Sequence, residues 1–354
     1  MADKQTHTIG VIAGDGIGRE VIPAGIAAIE KAARGSAVSI AFTELPWGCD
    51  YYKQHQRMLD DDGFERLAAF DAVYLGALGS PGVSDVVSAG LILAIRQRFD
   101  QYVNLRPMRL LAGLSSPLAN RGAADIDMVC VRENSEGEYA GVGGRIHRGT
   151  PHEVAQQTGV FTRQGIERIL RYAFELAAAR PRRILASATK SNALTHSMVM
   201  WDDVAEIVRK DYPAVEYRKY HVDALAARMV THPQTLDVIV ASNLFGDILT
   251  DIGSAISGSL GIAPGANINP GRQYPSMFEP IHGSAPDIAG KGIANPIGAI
   301  WAGALMLDHL GHRDLHDRVL GAIERVVAGG KVRTPDLGGT AKTKEMADAI
   351  VAEI

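Results

Sequence analysis

The stretch "IGVIAGDGIGREVI", Ile9 to Ile22, joins a β-branched run to a helical pattern through a cluster of glycines. The reading of the fold turns on whether those glycines cradle a phosphate. In a dinucleotide-binding βαβ unit, glycines at the first, third and sixth positions let backbone approach a pyrophosphate and let the helix pack tightly on the strand. Gly14, Gly16 and Gly18 follow the apolar run, and Glu44 closes a second one, "AVSIAFTE", where a ribose-binding acid would sit. The spacing argues the other way, because the sixth position counted from Gly14 is Arg19.

Outward from this turn, short apolar runs alternate with helical patterns. "HTIGVIAG", "AVSIAFTEL", "DAVYLGALG", "IDMVCVREN", "RRILASATK", "AVEYRKYHV" and "LDVIVASNL" read as strands. The alternation predicts an α/β architecture. "QGIERILRYAFELAAAR", Gln164 to Arg180, spaces its apolar residues for one helix face, with Arg and Glu opposite. After Gly253 the texture turns to Gly, Pro and Asn as far as "GIANP", an irregular stretch long enough to be functional. Three helical segments, "IGAIWAGALMLDHL", "DLHDRVLGAIERVVAGG" and "KTKEMADAIVAEI", finish the chain.

A chain of 354 residues with 46% hydrophobic content has material for a large core and about two domains. The formal net charge of −4, with acids and bases interspersed, gives no reason to expect nucleic acid or a membrane surface as partner. No apolar run approaches the roughly 18 residues of a membrane helix, and the N-terminus lacks a secretory pattern. Cys49 and Cys130 have no metal or redox spacing and read as two reduced thiols. The expected location is the cytoplasm.

Two sets of residues carry chemistry. In "VIVASNLFGDILTDIGS" a strand runs through Asn243 into a helix, where Asp247 and Asp251 lie four apart and share a face. Two such acids repel unless a cation sits between them or they part into solvent. Oxygen ligands alone fit Mg²⁺ or Mn²⁺, whereas the plain alternative makes Asp247 a cap and Asp251 a surface charge. Asp223, after "YRKYHV", is a third candidate that spacing alone does not connect. "LAIRQRFDQYVNLRPMR" supplies Arg96, Arg98, Arg106 and Arg109, and "VCVREN" supplies Arg132 at the end of a core-like strand. Arginine forks suit carboxylates, and with a divalent cation they point to a chelating hydroxy-dicarboxylate. "ADIDMV" holds an Asp-x-Asp pair, but Asp125 and Asp127 precede their strand instead of ending it, which argues against an aspartyl phosphatase.

"NLRP", "VREN" with "EGEYAG", "ATKSN", "SNLFGDILTD" and "FEPIHGSAPDIAGKGIANP" together resemble the β-decarboxylating dehydrogenases, the family of isopropylmalate, isocitrate, homoisocitrate, D-malate and tartrate dehydrogenases. The likeness runs nearly end to end. It implies an isopropylmalate dehydrogenase-like two-domain α/β fold that is not a Rossmann dinucleotide fold. "GDGIG" is then a structural turn, and the dinucleotide belongs to the loop after Gly253. One domain is expected from 1–101 plus 258–354. The second, 102–257, would carry the dimer interface and the arm "GRIHRGTPHEVAQQTGVFTR".

By resemblance, Arg96, Arg106 and Arg132 clamp substrate carboxylates, and Asp247 and Asp251 bind Mg²⁺ or Mn²⁺ with Asp223 of the other subunit. Lys190, also reaching across a homodimer, helps remove the hydroxyl proton, and Tyr139 protonates the enol carbon after carbon dioxide leaves. Asn192, His282, Gly283, Ser284, Ala285, Asp287, Ile288 and Asn295 match cofactor-binding positions. Asp287 predicts NAD over NADP, because it would meet a 2′-phosphate with like charge, although capping a short helix in "PDIAGKG" is its plainer role.

The substrate expected is D-malate or tartrate. Gly90 and Ile92 stand where isocitrate enzymes carry serine and asparagine. Ile92 and Leu93 would suit isopropylmalate, but Ala89 replaces that branch's acid. An open pocket at Ala89 keeps 3-isopropylmalate and other alkylmalates as the alternative. A non-catalytic regulatory homologue is the remote one, since every expected active-site position is filled by the expected residue type.

Overall fold

The computed structural model describes residues 5–354. In chain order the first elements are β1 (Gln5–Gly14), α1 (Gly18–Ala33), β2 (Val38–Glu44), α2 (Cys49–His55), α3 (Gly63–Ala68), β3 (Ala72–Ala77) and α4 (Asp85–Arg98). Next come β4 (Val103–Arg109), β5 (Asp127–Glu133), β6 (Gly137–Ile146), β7 (Val154–Val160), α5 (Arg163–Ala179), β8 (Ile184–Thr189), α6 (Ser197–Val208), β9 (Glu216–His221), α7 (Val222–Thr231), β10 (Val238–Ala241) and α8 (Asn243–Ile256). The chain closes with β11 (Pro264–Ile268), β12 (Ser276–Pro280), α9 (Ile297–His309), α10 (Arg313–Gly329) and α11 (Thr343–Glu353).

Two compact units result. The first gathers the chain up to Gln101 with Arg109–Ala124 and Ser254–Ile354; the second comprises Tyr102–Met108 and Asp125–Gly253. Against the division expected from the resemblance, Arg109–Ala124 groups with the chain termini. Arg109 is held there by Glu324, 2.7 Å away.

In the first unit the strands run in the order β2-β1-β3-β12-β11. β1 pairs in parallel with β2 and β3, β3 in parallel with β12, and β11 and β12 are antiparallel. β3, β11 and β12 are buried at every residue, so they show no alternation. That is why β11 and β12 are hidden in the stretch read from sequence as irregular. α4 packs Leu91 and Ile95, with Phe99 just past its end, against Ile12, Leu75 and Met277 of the strands.

The glycine turn has a tertiary explanation. Gly14 and Gly16 take left-handed φ of 70° and 51°, a region costly for residues with a Cβ. A Cβ on Gly16 would fall on the Ser284 carbonyl oxygen, and one on Gly18 would strike Ala13 and Ala77 backbone. Ile17 N–H donates to that same Ser284 carbonyl at 2.9 Å. Asp15 accepts from the Cys49 and Gly79 amides, at 3.0 Å each. The position a pyrophosphate would take at the start of α1 is therefore filled by the protein's own chain.

In the second unit the order is β4-β5-β10-β8-β9, with β5, β10, β8 and β9 parallel. α5 begins where the Thr162 hydroxyl accepts from Gly165 N–H, and it buries Ile166, Ile169, Leu170, Ala173 and Phe174. Just past its end, Arg180 pairs with buried Asp237 and with Asp127, which gives Asp127 a structural partner. β6 and β7 form an antiparallel hairpin exposing Val142, Ile146 and Val154. Among the described residues, no helix is long and apolar enough to cross a membrane.

Candidate active site

α8 organises the charged cluster of the second unit. It starts at Asn243 directly after β10, and its turns present Asn243, Gly246, Asp247, Thr250 and Asp251 along adjoining faces. Arg132 comes from the end of β5 and is buried. Its Nε and Nη2 donate to Asn243 Oδ1, at 3.0 and 2.8 Å, and its Nη1 donates to Asp247 Oδ1. Asn243 is held in turn through Nδ2 to the Glu136 carbonyl, 3.1 Å. Gly246 makes room for this arrangement, since a Cβ there would sit 2.6 Å from Arg132 Cγ.

Arg106 follows Asn104 by two residues on β4, so both side chains share a face. Its Nε donates to Asn104 Oδ1 at 2.7 Å and its Nη1 to Thr250 Oγ1 at 2.8 Å, with Asp247 Oδ1 3.6 Å away. Tyr139, on β6, donates to Asp247 Oδ2 at 3.1 Å, and the Arg132 guanidinium lies over its ring. Burial, and then the Asp247 charge, raise the Tyr139 hydroxyl above the usual tyrosine value, so it stays protonated. Burial raises the Asp251 carboxyl too, and repulsion from Asp247 adds to it. The arginines and acids of this unit thus gather with a protonated phenol.

Lys190 and Asp223 form a separate pair. Lys190 Nζ, just past β8, lies 2.7 Å from Asp223 Oδ1 at the start of α7, and it holds that carboxyl below the usual range. The pair makes no hydrogen bond or ion pair with the Arg132–Asp247–Tyr139 cluster of its own chain among the described residues. Nor do three or more His, Cys, Asp or Glu side chains among the described residues gather into a metal site. Asp223 is therefore not brought to Asp247 and Asp251 within one chain. Asn192 is exposed near Lys190 in the chain.

In the first unit, Arg96 Nη2 donates to Glu279 Oε1 at 3.0 Å, both residues being buried, and Asn267 Nδ2 donates to the same oxygen at 2.7 Å. His282 bonds the Gly283 carbonyl through Nδ1, while its Nε2 is buried without a partner. Burial lowers its titration below the ordinary histidine value. Ser284 uses its carbonyl on Ile17 and Ala285 takes φ 41°. Ala285 also accepts from Ile288 and Ala289 N–H, closing a turn where the sequence had promised a short helix. The Asp287 carboxylate bonds none of the described residues, so it is not a cap. Asn295 is committed at both ends, accepting from Ile297 N–H at the start of α9 and donating to Asp336.

Sequence reading did not find the acceptors behind the arginines. Asn104, Asn243, Thr250 and Glu279 all lie within quoted motifs, in "NLRP", "SNLFGDILTD" and "FEPIHG", but were given no role of their own; the further signal was a polar residue within an otherwise buried strand or helix face.

The isocitrate/isopropylmalate dehydrogenase family matches residues 8–350, and the chain belongs to it. It is 53% identical to D-malate dehydrogenase [decarboxylating] of Escherichia coli K12, over 98% of both chains. It is 52% identical to tartrate dehydrogenase/decarboxylase of Pseudomonas putida, over 97% of this chain and 96% of that one. The crystal structure of isocitrate dehydrogenase from Methylococcus capsulatus superposes with a TM-score of 0.87 at 36% identity, covering 98% and 99% of the two chains. The protein is accordingly a decarboxylating dehydrogenase of this family, with the isopropylmalate dehydrogenase-like fold in place of a Rossmann dinucleotide fold.

Proposed function

We propose that the protein catalyses NAD-dependent, divalent-metal-dependent oxidative decarboxylation of a (2R)-malate-type acid, D-malate or tartrate. The observation that carries this is the cluster of Arg106, Arg132, Asp247, Asp251 and Tyr139 around one helix. The names of relatives more than half identical to it support the choice of substrate.

The residues fit a hard cation. Asp247 and Asp251 offer only oxygen, and their mutual repulsion is what a divalent ion would relieve. Asp223 of a partner subunit would complete the set, because within one chain it stands apart with Lys190. The nucleotide fits the first unit, where the His282 Nε2 is unsatisfied and the Asp287 carboxylate is uncommitted for ribose hydroxyls. When bound, the nucleotide would supply a hydride acceptor and the cation would supply Lewis-acid polarisation of the substrate.

The chain's own groups handle carboxylates and protons. Arg106 and Arg132, and Arg96 of the first unit, hold substrate carboxylates through their forks. Lys190, next to Asp223, takes the hydroxyl proton when in its neutral amine form. Carbon dioxide then leaves from the carboxylate on C3, and Tyr139, kept protonated by its raised pKa, delivers a proton to that carbon. This makes the working form a homodimer with shared sites, joined in part by the β6–β7 hairpin. Two buried, unpaired cysteines support a cytoplasmic setting.

The second reading is 3-isopropylmalate, favoured by one observation: a Cβ on Gly90 would meet nothing within 4 Å, which leaves room for an alkyl substituent. Initial rates with NAD⁺ and Mn²⁺ on D-malate, both chiral tartrates, 3-isopropylmalate and isocitrate decide between them. D-malate or a tartrate should have the highest kcat/KM. A higher value for 3-isopropylmalate transfers the assignment to it, and activity undiminished by excess chelator overturns the metal.

A further inference from the structure

We propose that Thr250 is a positioning residue that aims the Arg106 guanidinium through its hydroxyl. The inference rests on the reading of Arg106 as a ligand of the substrate carboxylate. Arg106 is only 9% exposed, and its Nε is held by Asn104 Oδ1. That bond restrains the guanidinium plane at its Nε edge. A further bond, from Nη1 to Thr250 Oγ1 at 2.8 Å, holds it at the far end of the fork as well and sharpens its aim.

Thr250 is suited to the task by its place in α8. It is fully buried, and its hydroxyl donates back to the Asp247 carbonyl at 3.0 Å. With the proton committed along the helix, an oxygen lone pair faces the guanidinium. Asn104 and Thr250 are both uncharged, so these two hydrogen bonds orient the fork without themselves adding negative charge to it, while Asp247 stands 3.6 Å from the same Nη1. Thr250 also lies between Asp247 and Asp251 in sequence, so the helix that displays both acids orients the arginine as well. An arginine set before its ligand arrives has less rotamer freedom to lose on binding.

The test is steady-state kinetics with D-malate, NAD⁺ and Mn²⁺ on Thr250→Val, Thr250→Ser, Arg106→Gln and the double variant Arg106→Gln/Thr250→Val. Thr250→Val keeps the shape and loses the acceptor. It should raise the D-malate KM about tenfold or more, as expected for one hydrogen bond to a charged group. The change in kcat should stay under about threefold, and the KM for NAD⁺ and the Mn²⁺ activation constant should not move. Thr250→Ser keeps the acceptor and should return the D-malate KM to within about threefold of the parent value. In the Arg106→Gln background, Thr250→Val should add less than about twofold, because it acts through a group no longer there. If Thr250→Val does not fold, Thr250→Ala is read the same way.

A parent-like KM in the folded Thr250 variant, equal defects in the Val and Ser variants, or full additivity with Arg106→Gln overturns the proposal. A parent-like KM for Arg106→Gln itself removes the underlying reading of Arg106, and the proposal with it.

Discussion

Gly246 is the tightest packing constraint on the charged cluster, and Gly246→Ala puts a number on it. An alanine Cβ there would lie 2.6 Å from Arg132 Cγ, 2.7 Å from its Cβ and 3.2 Å from its Cδ. Helix propensity alone favours alanine by about 1 kcal/mol in a helix interior. The overlap opposes it, because forcing an extra carbon into packed surroundings costs about 1–3 kcal/mol. The net destabilisation is therefore about 0–2 kcal/mol, and the protein still folds. Activity should suffer more than stability. The atoms displaced are the stem of Arg132, whose Nε and Nη2 reach Asn243 at 3.0 and 2.8 Å, and a shift of about 1 Å in a positioned group costs about a hundredfold in rate. We expect kcat/KM for D-malate to fall about a hundredfold, while the thermal midpoint falls by a few degrees at most. For stability alone, Gly90→Ala in α4 is the control, since its Cβ meets nothing within 4 Å; it should gain up to about 1 kcal/mol. A Gly246→Ala enzyme with parent kcat/KM refutes the reasoning.

His309 should impose a pH dependence on stability. Burial lowers its pKa to about 4, so the folded protein prefers it neutral, and stability is lost as pH falls from about 6.5 towards 4, roughly 2 kcal/mol by pH 5. Urea melts at pH 7 and 5 should show that loss, and His309→Leu should flatten it; an unchanged slope would count against His309. Mixing inactive Lys190→Met with inactive Arg132→Ala subunits should restore activity through one intact shared site, and no recovery after proven subunit exchange places Lys190 at its own chain's site. Asp287→Lys with Ile288→Tyr should shift the kcat/KM ratio from NAD⁺ towards NADP⁺. Equal use of both cofactors by the parent enzyme defeats the role given to Asp287.

Local pattern carried the α/β alternation, because strands such as β1 and helices such as α5 keep their apolar periodicity whatever surrounds them. β11 and β12 escaped it, being buried throughout and begun or ended by proline. The i,i+4 spacing of Asp247 and Asp251 was visible because repulsion on a helix is a local matter. What Asp127 does was not, since its partner Arg180 arrives from another element. The same holds for the glycine turn: Arg19 at the sixth position raised the doubt, but the group that fills the phosphate's place, the Ser284 carbonyl, lies 267 residues beyond Ile17. The amides and hydroxyl behind Arg106 and Arg132 are legible only once strands and helix α8 are assembled.

The pairing of β3 with β12 also sets an order on biosynthesis. Ala72–Ala77 leaves the ribosome early, yet its neighbour Ser276–Pro280 follows only about 200 residues later. At roughly 5–20 residues per second the strand waits on the order of 10–40 seconds for that edge to be covered. The second unit, finished by Gly253, is complete before the first has its last strands. During that interval the nascent chain carries an apolar, unpaired edge of the kind chaperones bind and aggregates grow from.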